Sequence, residues 1–536
     1  MAQITGYYFS YKMAVNFKSR PSFPIHCCFV LCLCLAVFIK KAFSSHIIGM
    51  ANLNYVSHNR VLWKIGKELQ AKGHKYTQVL PSCAKESYTE VDVKVFNTSV
   101  TEEMIEEAHA TLIKLDNINS VSGAFRLFQA MQTLNVMLQT FCKDLFDSDR
   151  LISEIRESVD LILCDTTNFC CSVLAGALNI TRIDVSPVGF AGVFGAVYYN
   201  TPIAYLPLEF TPDSPQTFSF LNRLKNFITF IILRSTVSKM LPHELWEKHA
   251  PQGIEYAMKP SGIALIPHDF ALNYPRPFTP NVKVIGPLLP EAAKKLPDDF
   301  ETFMANNKQV VVVSFGTTLS SHLPGFVEKI AEALRKLPYH VLWKQVGNLP
   351  EDMGPNIKVV SWFPQNDVLG HPSTKVFVTH GGLNSVLESV YHAVPMVILP
   401  LFGDQHEQAS LVTRKELGIS LDKKVVKSDD IARSVIEVAN NKKYKENVQH
   451  ISELLRDRPQ SPAKEGAYWV DYALKHRGVK HLMSNAYNMP LYQLYMFDAF
   501  LLLFVAILVA ICTFVGLCYV VVCRRKSNIS EKEKRT

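Results

Sequence analysis

Cysteine is scarce in the part of this chain that folds. Of 12 cysteines in 536 residues, Cys27, Cys28, Cys32 and Cys34 lie in an N-terminal apolar segment, and Cys512, Cys518 and Cys523 in or beside a C-terminal one. Cys83, Cys142, Cys164, Cys170 and Cys171 remain for the interior. That is too thin for a disulfide framework, and without paired CxxC units it gives no zinc signal. GxxxxGK[ST] is missing, which excludes an ATP-type P-loop, and so is GxGxxG, which leaves nicotinamide and flavin unsupported. The formal charge of +8 is mild, with Lys and Arg scattered among Asp and Glu. A nucleic-acid footprint is therefore not indicated. Short tandem repeats are absent and low-complexity stretches few. With 48% hydrophobic residues the chain reads as folded.

At this length a single core is excluded, so two domains are expected. Both ends carry apolar runs. Lys18 and Arg20 precede an apolar stretch over 27–39, and Ala42-Phe43-Ser44 follows with small residues. This pattern predicts a signal peptide over 1–44. The run 499–522 holds no charge and is followed at once by Arg524-Arg525-Lys526. It is long enough to cross ~30 Å of hydrocarbon, and the positive-inside rule puts the tail 523–536 in the cytosol. A type I membrane protein with lumenal domains follows as the expectation. Lys532 and Lys534 near the carboxyl end resemble a dilysine-type address for the endoplasmic reticulum. Sequons at Asn97 and Asn179 are candidate glycosylation sites.

Between the two ends, continuous apolar runs alternate with helical patterns. "HIIGM", "KYTQVLP", "VDLILCD", "QVVVVSFGT", "HVLWKQV", "IKVVSWFP", "KVFVTH" and "PMVILPLF" read as buried parallel strands. The fold class is therefore α/β, with two Rossmann-like domains. A stretch over 271–299 carries six prolines, and proline continues neither helix nor central strand. The expected organisation is an N-terminal domain over 45–285, a linker over 286–300 and a C-terminal domain over 301–480. Ser428-Asp429-Asp430 is expected to cap a further helix. Asp147-Ser148-Asp149 resembles a metal-binding DxD but reads more simply as a helix cap. The Phe- and Leu-rich stretch 218–240 suits core, an acceptor pocket or a membrane contact equally.

Open parallel sheets bind ligands at the carboxyl ends of their strands. That rule selects His58 after the first strand, Asp165, Ser314 to Thr317, Trp362, His380 and Asp404. The stretch "VTHGGLNSVLESVYHAVPMVILPLFGDQ" over 378–405 combines several of these. Two glycines permit close backbone approach, and a helix starting near Asn384 offers free N–H groups to an anion such as phosphate. His380 can donate to the same oxygens. Glu388, one turn further along the same face, can accept from the two hydroxyls of a ribose. Asp404 and Gln405 suit the hydroxyls of a sugar, and Trp362 offers a flat face to a base.

The 44 residues "WFPQNDVLGHPSTKVFVTHGGLNSVLESVYHAVPMVILPLFGDQ" resemble the donor signature of the UDP-glycosyltransferase superfamily, in its membrane-bound vertebrate form. The leader, Ser57-His58, the "PRP…PNV…G" linker and the C-terminal anchor extend the resemblance over nearly the whole chain. The resemblance implies a GT-B arrangement, two Rossmann-like domains facing across a cleft. It implies stacking of uracil on Trp362 and a uridine contact from Gln365. Ser314, Thr317, His380, Gly382 and Asn384 would surround the diphosphate, Glu388 would hold the ribose, and Asp404 and Gln405 the transferred sugar. His58 would be the catalytic base and Asp165 its partner. The implied reaction inverts the anomeric carbon without metal or cofactor. It moves a sugar, glucuronic acid first among the options, from a UDP-sugar to a small lipophilic acceptor. Glucose or galactose transfer to a lipid, a UDP-sugar epimerase and a non-catalytic UDP-sugar-binding protein are the alternatives. Self-association or pairing with a related chain is a further expectation. Ala393 and Ile398 stand where many members have glycine, which bears on packing or donor fit.

Overall fold

The computed structural model describes residues 44–53, 56–84, 88, 90–113, 133, 136–190, 219–221, 223–224, 226–228, 248–249, 262–316, 325–347 and 349–533. The leader, Thr317 and most of 218–240 therefore lie outside the described residues. From Ser45 onward the chain forms one compact unit.

Two parallel sheets make up that unit. The first has seven strands in the order β3-β2-β1-β4-β5-β6-β7. They are β1 His46–Met50, β2 Lys75–Pro81, β3 Asp92–Phe96, β4 Leu161–Asp165, β5 Thr181–Val185, β6 Ala264–Ile266 and β7 Val282–Val284. The second has six, in the order β10-β9-β8-β11-β12-β13. They are β8 Val310–Ser314, β9 His340–Lys344, β10 Ile357–Val360, β11 Thr374–Thr379, β12 Met396–Ile398 and β13 Gly418–Ser420. The expected α/β class with two Rossmann-like sheets is what the chain adopts.

The valine run of β8 shows why these strands carry no polar alternation. Val310 and Val312 pack into one hydrophobic cluster, and Val311 and Val313 into another. Successive side chains point to opposite faces, and both faces are covered. In each sheet the strand order reverses beside the first strand, between β1 and β4 and between β8 and β11. Such reversals open a crevice at the strands' carboxyl ends. Register sets what stands there. Met50 aligns with Cys164, so Asp165 ends β4 beside the end of β1. Thr379 aligns with Ser314, so His380 follows β11 beside the end of β8.

The helices that carry the argument are α1 Val56–Ala71, α2 Phe169–Leu178, α3 Phe326–Arg335, α4 Gln365–Leu369, α5 Leu383–Tyr391, α6 Gln405–Arg414, α7 Ser428–Asn440, α8 Pro462–Lys475 and α9 Phe497–Glu533. In α1 the face Val61, Leu62, Ile65 and Leu69 is buried, at the spacing a helix requires. The helix α7 begins at Ser428 with Lys427 as its cap, and the Asp430 carboxylate accepts from the Lys427 N–H at 2.9 Å. The cap therefore lies one residue before the expected serine. Ser148 caps its helix by position, but its Oγ donates to the Asp144 carbonyl at 2.8 Å. Asp147 is paired with Lys143 at 2.6 Å, and no metal-binding cluster occurs among the described residues.

Strands β3, β5, β6, β7 and β13 are not marked in the sequence reading, and two further features depart from it. Cys142 is bonded to Cys170 and Cys164 to Cys171, so four of the interior cysteines form disulfides, with Cys83 free. Spacing hid this because Cys170 and Cys171 are consecutive, yet bond to partners on different elements. The other departure is α8. It lies inside the 301–480 segment assigned to the second domain, but Ala467, Val470 and Ala473 pack with Val61, Leu62 and Ile65 in the first sheet's core. The linker is bonded on both sides. Lys64 of α1 pairs with Glu291 at 2.7 Å, and the Glu291 N–H donates to Asn366 Oδ1 at 3.1 Å.

Candidate active site

His58 sits in the first turn of α1, at the carboxyl edge of the first sheet. Its Nδ1 lies 2.6 Å from Asp165 Oδ2, joining residues 107 positions apart. Asp165 is fully buried. Asn52 N–H donates to Oδ2 at 3.2 Å, and Thr167 donates to Oδ1 from its N–H and its hydroxyl, each at 2.8 Å. Burial alone would push this carboxyl up. The opposing charge and hydrogen bond of His58, with those of Thr167, outweigh it and hold the group below its usual value. Asp165 is thus ionised at neutral pH and accepts the His58 Nδ1–H. That fixes the tautomer and leaves Nε2 with a lone pair.

The other half of the site comes from the second sheet. Gly381 has φ +84°, a left-handed turn that glycine takes freely. Gly382 then caps α5. A Cβ on Gly382 would lie 2.8 Å from His380 Nε2, so this glycine also makes room for the imidazole. His380 is buried, which drives its pKa down to about 4; the Ser314 carbonyl opposes the shift and Lys344 adds to it. At neutral pH it is a neutral ring that donates one hydrogen bond, not a cation. Asn384 lies in the first turn of α5, with its free N–H groups.

Glu388 is half-buried. Gln365 Nε2, at the start of α4, donates to Glu388 Oε2 at 2.6 Å and to Ser385 Oγ at 3.1 Å. Burial pushes the Glu388 carboxyl up to about 7, against the lowering pull of Gln365 and Arg60. Trp362 is 54% exposed, whereas the neighbouring Phe363 is buried. A large aromatic left open beside Gln365 is available for stacking.

Asp404 precedes α6. Burial pushes its carboxyl up to about 6, and nearby Glu407 pushes it the same way; His58 and the Leu383 N–H pull it down. Gln405 is buried. Its Oε1 accepts the N–H groups of Leu401 and Phe402 at 2.7 and 3.1 Å. This amide braces the loop, so any contact with a sugar would run through Nε2.

The two halves face each other. His58 acts on Asp404, and Arg60, two residues on, acts on Lys344 and Glu388. Gly189, beyond β5, lies so near α5 that a Cβ there would be 3.0 Å from Leu383 Cδ2. Lys344 and Arg60 were not picked from sequence. The strand-end rule applied to "HVLWK" would have found Lys344, but nothing in sequence brings Arg60 to it. Asn97 and Asn179 are both exposed, Asn179 as the left-handed cap of α2.

Residues 51–535 match the family described as "UDP-glucoronosyl and UDP-glucosyl transferase". UDP-glucuronosyltransferase 2B10 of Homo sapiens is 31% identical over 470 residues, covering 83% of this chain and 88% of that protein. The human 2-hydroxyacylsphingosine 1-beta-galactosyltransferase is 31% identical over 484 residues, covering 87% of each chain. Among solved structures, Os79 from O. sativa in complex with U2F and trichothecene superposes with a TM-score of 0.57 at 17% identity, covering 80% of this chain and all (100%) of that one. The calicheamicin glycosyltransferase CalG4 gives 0.54 at 18%, with 80% and 98% covered. These last two establish the shared fold.

Proposed function

Since the chain belongs to the UDP-glucoronosyl and UDP-glucosyl transferase family, we propose that it moves a sugar from a UDP-sugar to a hydroxyl of a small lipophilic acceptor, with inversion. The 2.6 Å contact between His58 and buried Asp165, facing Asp404 across the cleft, carries this reading. His58 Nε2 takes the proton of the acceptor hydroxyl as its oxygen attacks the anomeric carbon. The bond from that carbon to the phosphate oxygen breaks and UDP leaves. The new charge on the diphosphate meets the free N–H groups at the α5 N-terminus, with the His380 ring packed beside them. Asp165 stabilises the imidazolium until its proton passes to solvent.

Glucuronic acid is the first reading for the sugar, in line with the glucuronosyltransferase relatives. An uncharged hexose is the second. Among the described residues, Glu407 acts on Asp404 with like sign and pushes its carboxyl up, as burial does. A donor carboxylate there would meet like charge. The location proposed is the endoplasmic-reticulum membrane with lumenal domains. Two disulfides suit an oxidising compartment, and Arg524-Arg525-Lys526 follow the span directly.

Microsomes carrying the full chain test these points when offered UDP-glucuronate, UDP-glucose and UDP-galactose with phenols, steroids and ceramide. Product and UDP release are expected with one donor class. Their absence with every pair would overturn the enzyme reading. His58→Ala should lower kcat by about 10²- to 10⁴-fold, and full activity in that variant would remove the proposed base.

A further inference from the structure

Lys423 plays no part in the chemistry above, yet it reaches both halves of the molecule. It stands in the turn that follows β13. Asp422 shapes that turn, its Oδ1 accepting the Lys424 N–H and its carbonyl the Val426 N–H, each at 3.0 Å. From there the Lys423 ammonium donates to the Ile113 carbonyl at 2.8 Å, across 310 positions, and to the Leu401 carbonyl. An ammonium is a compact charge with three donors, so it can serve two carbonyls at once.

The two carbonyls belong to different halves. Ile113 is part of the helix Glu102–Ile113. Ile105 and Ala108 of that helix pack in the first sheet's core with Phe96 and Phe141. Ile113 itself, 2% exposed, packs in the second sheet's core, in the same cluster as Leu401. One helix thus enters two cores. Leu401 opens the loop that leads to Asp404 and Gln405. Gln405 Oε1 accepts the Phe402 N–H at 3.1 Å. The peptide group between Leu401 and Phe402 is therefore held at its N–H by Gln405 and at its carbonyl by Lys423. A planar group bonded at both ends has little freedom to rotate.

We infer that Lys423 is a positioning residue: it pins the first-domain helix Glu102–Ile113 to the loop 401–405, and so sets where Asp404 and Gln405 meet the transferred sugar. The inference rests on the role proposed above for those two residues. The proposed uridine and ribose contacts lie elsewhere, at Trp362, Gln365 and Glu388. Loss of the pin is therefore felt at the sugar and not at UDP.

Lys423→Met keeps the reach of the side chain and removes its donors. In the purified full chain, with the UDP-sugar that the wild type turns over, it should raise the KM for UDP-sugar about tenfold, the effect of one charged hydrogen bond, and leave the Kd for UDP unchanged. Ile113→Ala, which loosens the helix and keeps the ammonium, should raise that KM as well. An unchanged KM in Lys423→Met would overturn the proposal, and so would an equal rise in the Kd for UDP, which marks a general support. A response to Lys423→Met with none to Ile113→Ala would overturn the link to the first domain. Hydrogen exchange tests the pin without turnover, so a wild type inactive with every UDP-sugar would count against the transferase reading alone. Lys423→Met should speed exchange in peptides covering 102–113 and 398–405 together and leave 383–391 as it was. Faster exchange in only one of the first two would show that no pin joins them.

Discussion

Glu388 is a carboxylate held near its own switching point. Burial pushes it up to about 7 while the Gln365 amide pulls the other way. In its proposed role as ligand of two ribose hydroxyls it works best ionised, with its full set of acceptor lone pairs. The KM for UDP-sugar should therefore fall as pH rises from about 6 to 8, and Glu388→Gln should flatten that dependence. The empty protein should show the opposite trend. A carboxyl whose folded pKa is raised contributes stability below its unfolded value and loses it as pH rises through about 7. Tm without ligand should thus decline over that window by more in the wild type than in Glu388→Gln, and UDP should offset the decline. Thermal scans and initial rates across pH check both signs. Residues such as Glu388 and His380 were legible because they fall within one continuous signature. Their charge states were not, since those depend on Lys344, Arg60 and the surrounding wall, which only folding assembles.

At the scale of elements, the strands were the most readable feature, because burial on both faces leaves an unbroken apolar run. Ala393 and Ile398 stood out only because many members of the resembled family carry glycine there. Ala393 follows α5 at φ +54°, in the left-handed region where glycine is at ease. Ala393→Gly should relieve about 1 kcal/mol of backbone strain, measured as a higher denaturation midpoint with unchanged kcat. Ile398, the other departure, packs 2.7 Å from where a Gly381 Cβ would stand, so it fills the space behind the turn. The disulfides were not readable, because their partners meet only once α2 lies against β4 and against the helical residues 136–146 that carry Cys142. Cys142 and Cys170 are 28 residues apart, and losing their bond should cost about 3–4 kcal/mol by loop entropy. The Cys164–Cys171 bond closes 7 residues and should cost about 2 kcal/mol. Alanine pairs at each bond, compared by urea denaturation, give the ranking; a larger loss at Cys164–Cys171 would show that chain entropy is not the main effect.

Across the whole molecule the order of the chain and the order of packing diverge. Prolines mark the join between two sheets, which made the two-sheet organisation visible in sequence. Nothing marks α8 as belonging to the first sheet, since an amphipathic helix shows that it has a core face and not which core it meets. The crossing depends on Gly466. A Cβ there would lie 3.2 Å from Ile65 Cγ1 and 3.3 Å from Ile285 Cδ1. Ile65 is on α1, two turns beyond His58, so a larger residue at 466 pushes on the helix that carries the proposed base. Gly466→Leu should cost about 1–3 kcal/mol through overpacking. It should also lower kcat while the KM for UDP-sugar changes little, because the proposed donor residues stand on the other sheet. Equal losses in both parameters would mean that α8 supports the enzyme only as a whole. A fall confined to kcat would show that a helix late in the chain sets the position of a base near its beginning.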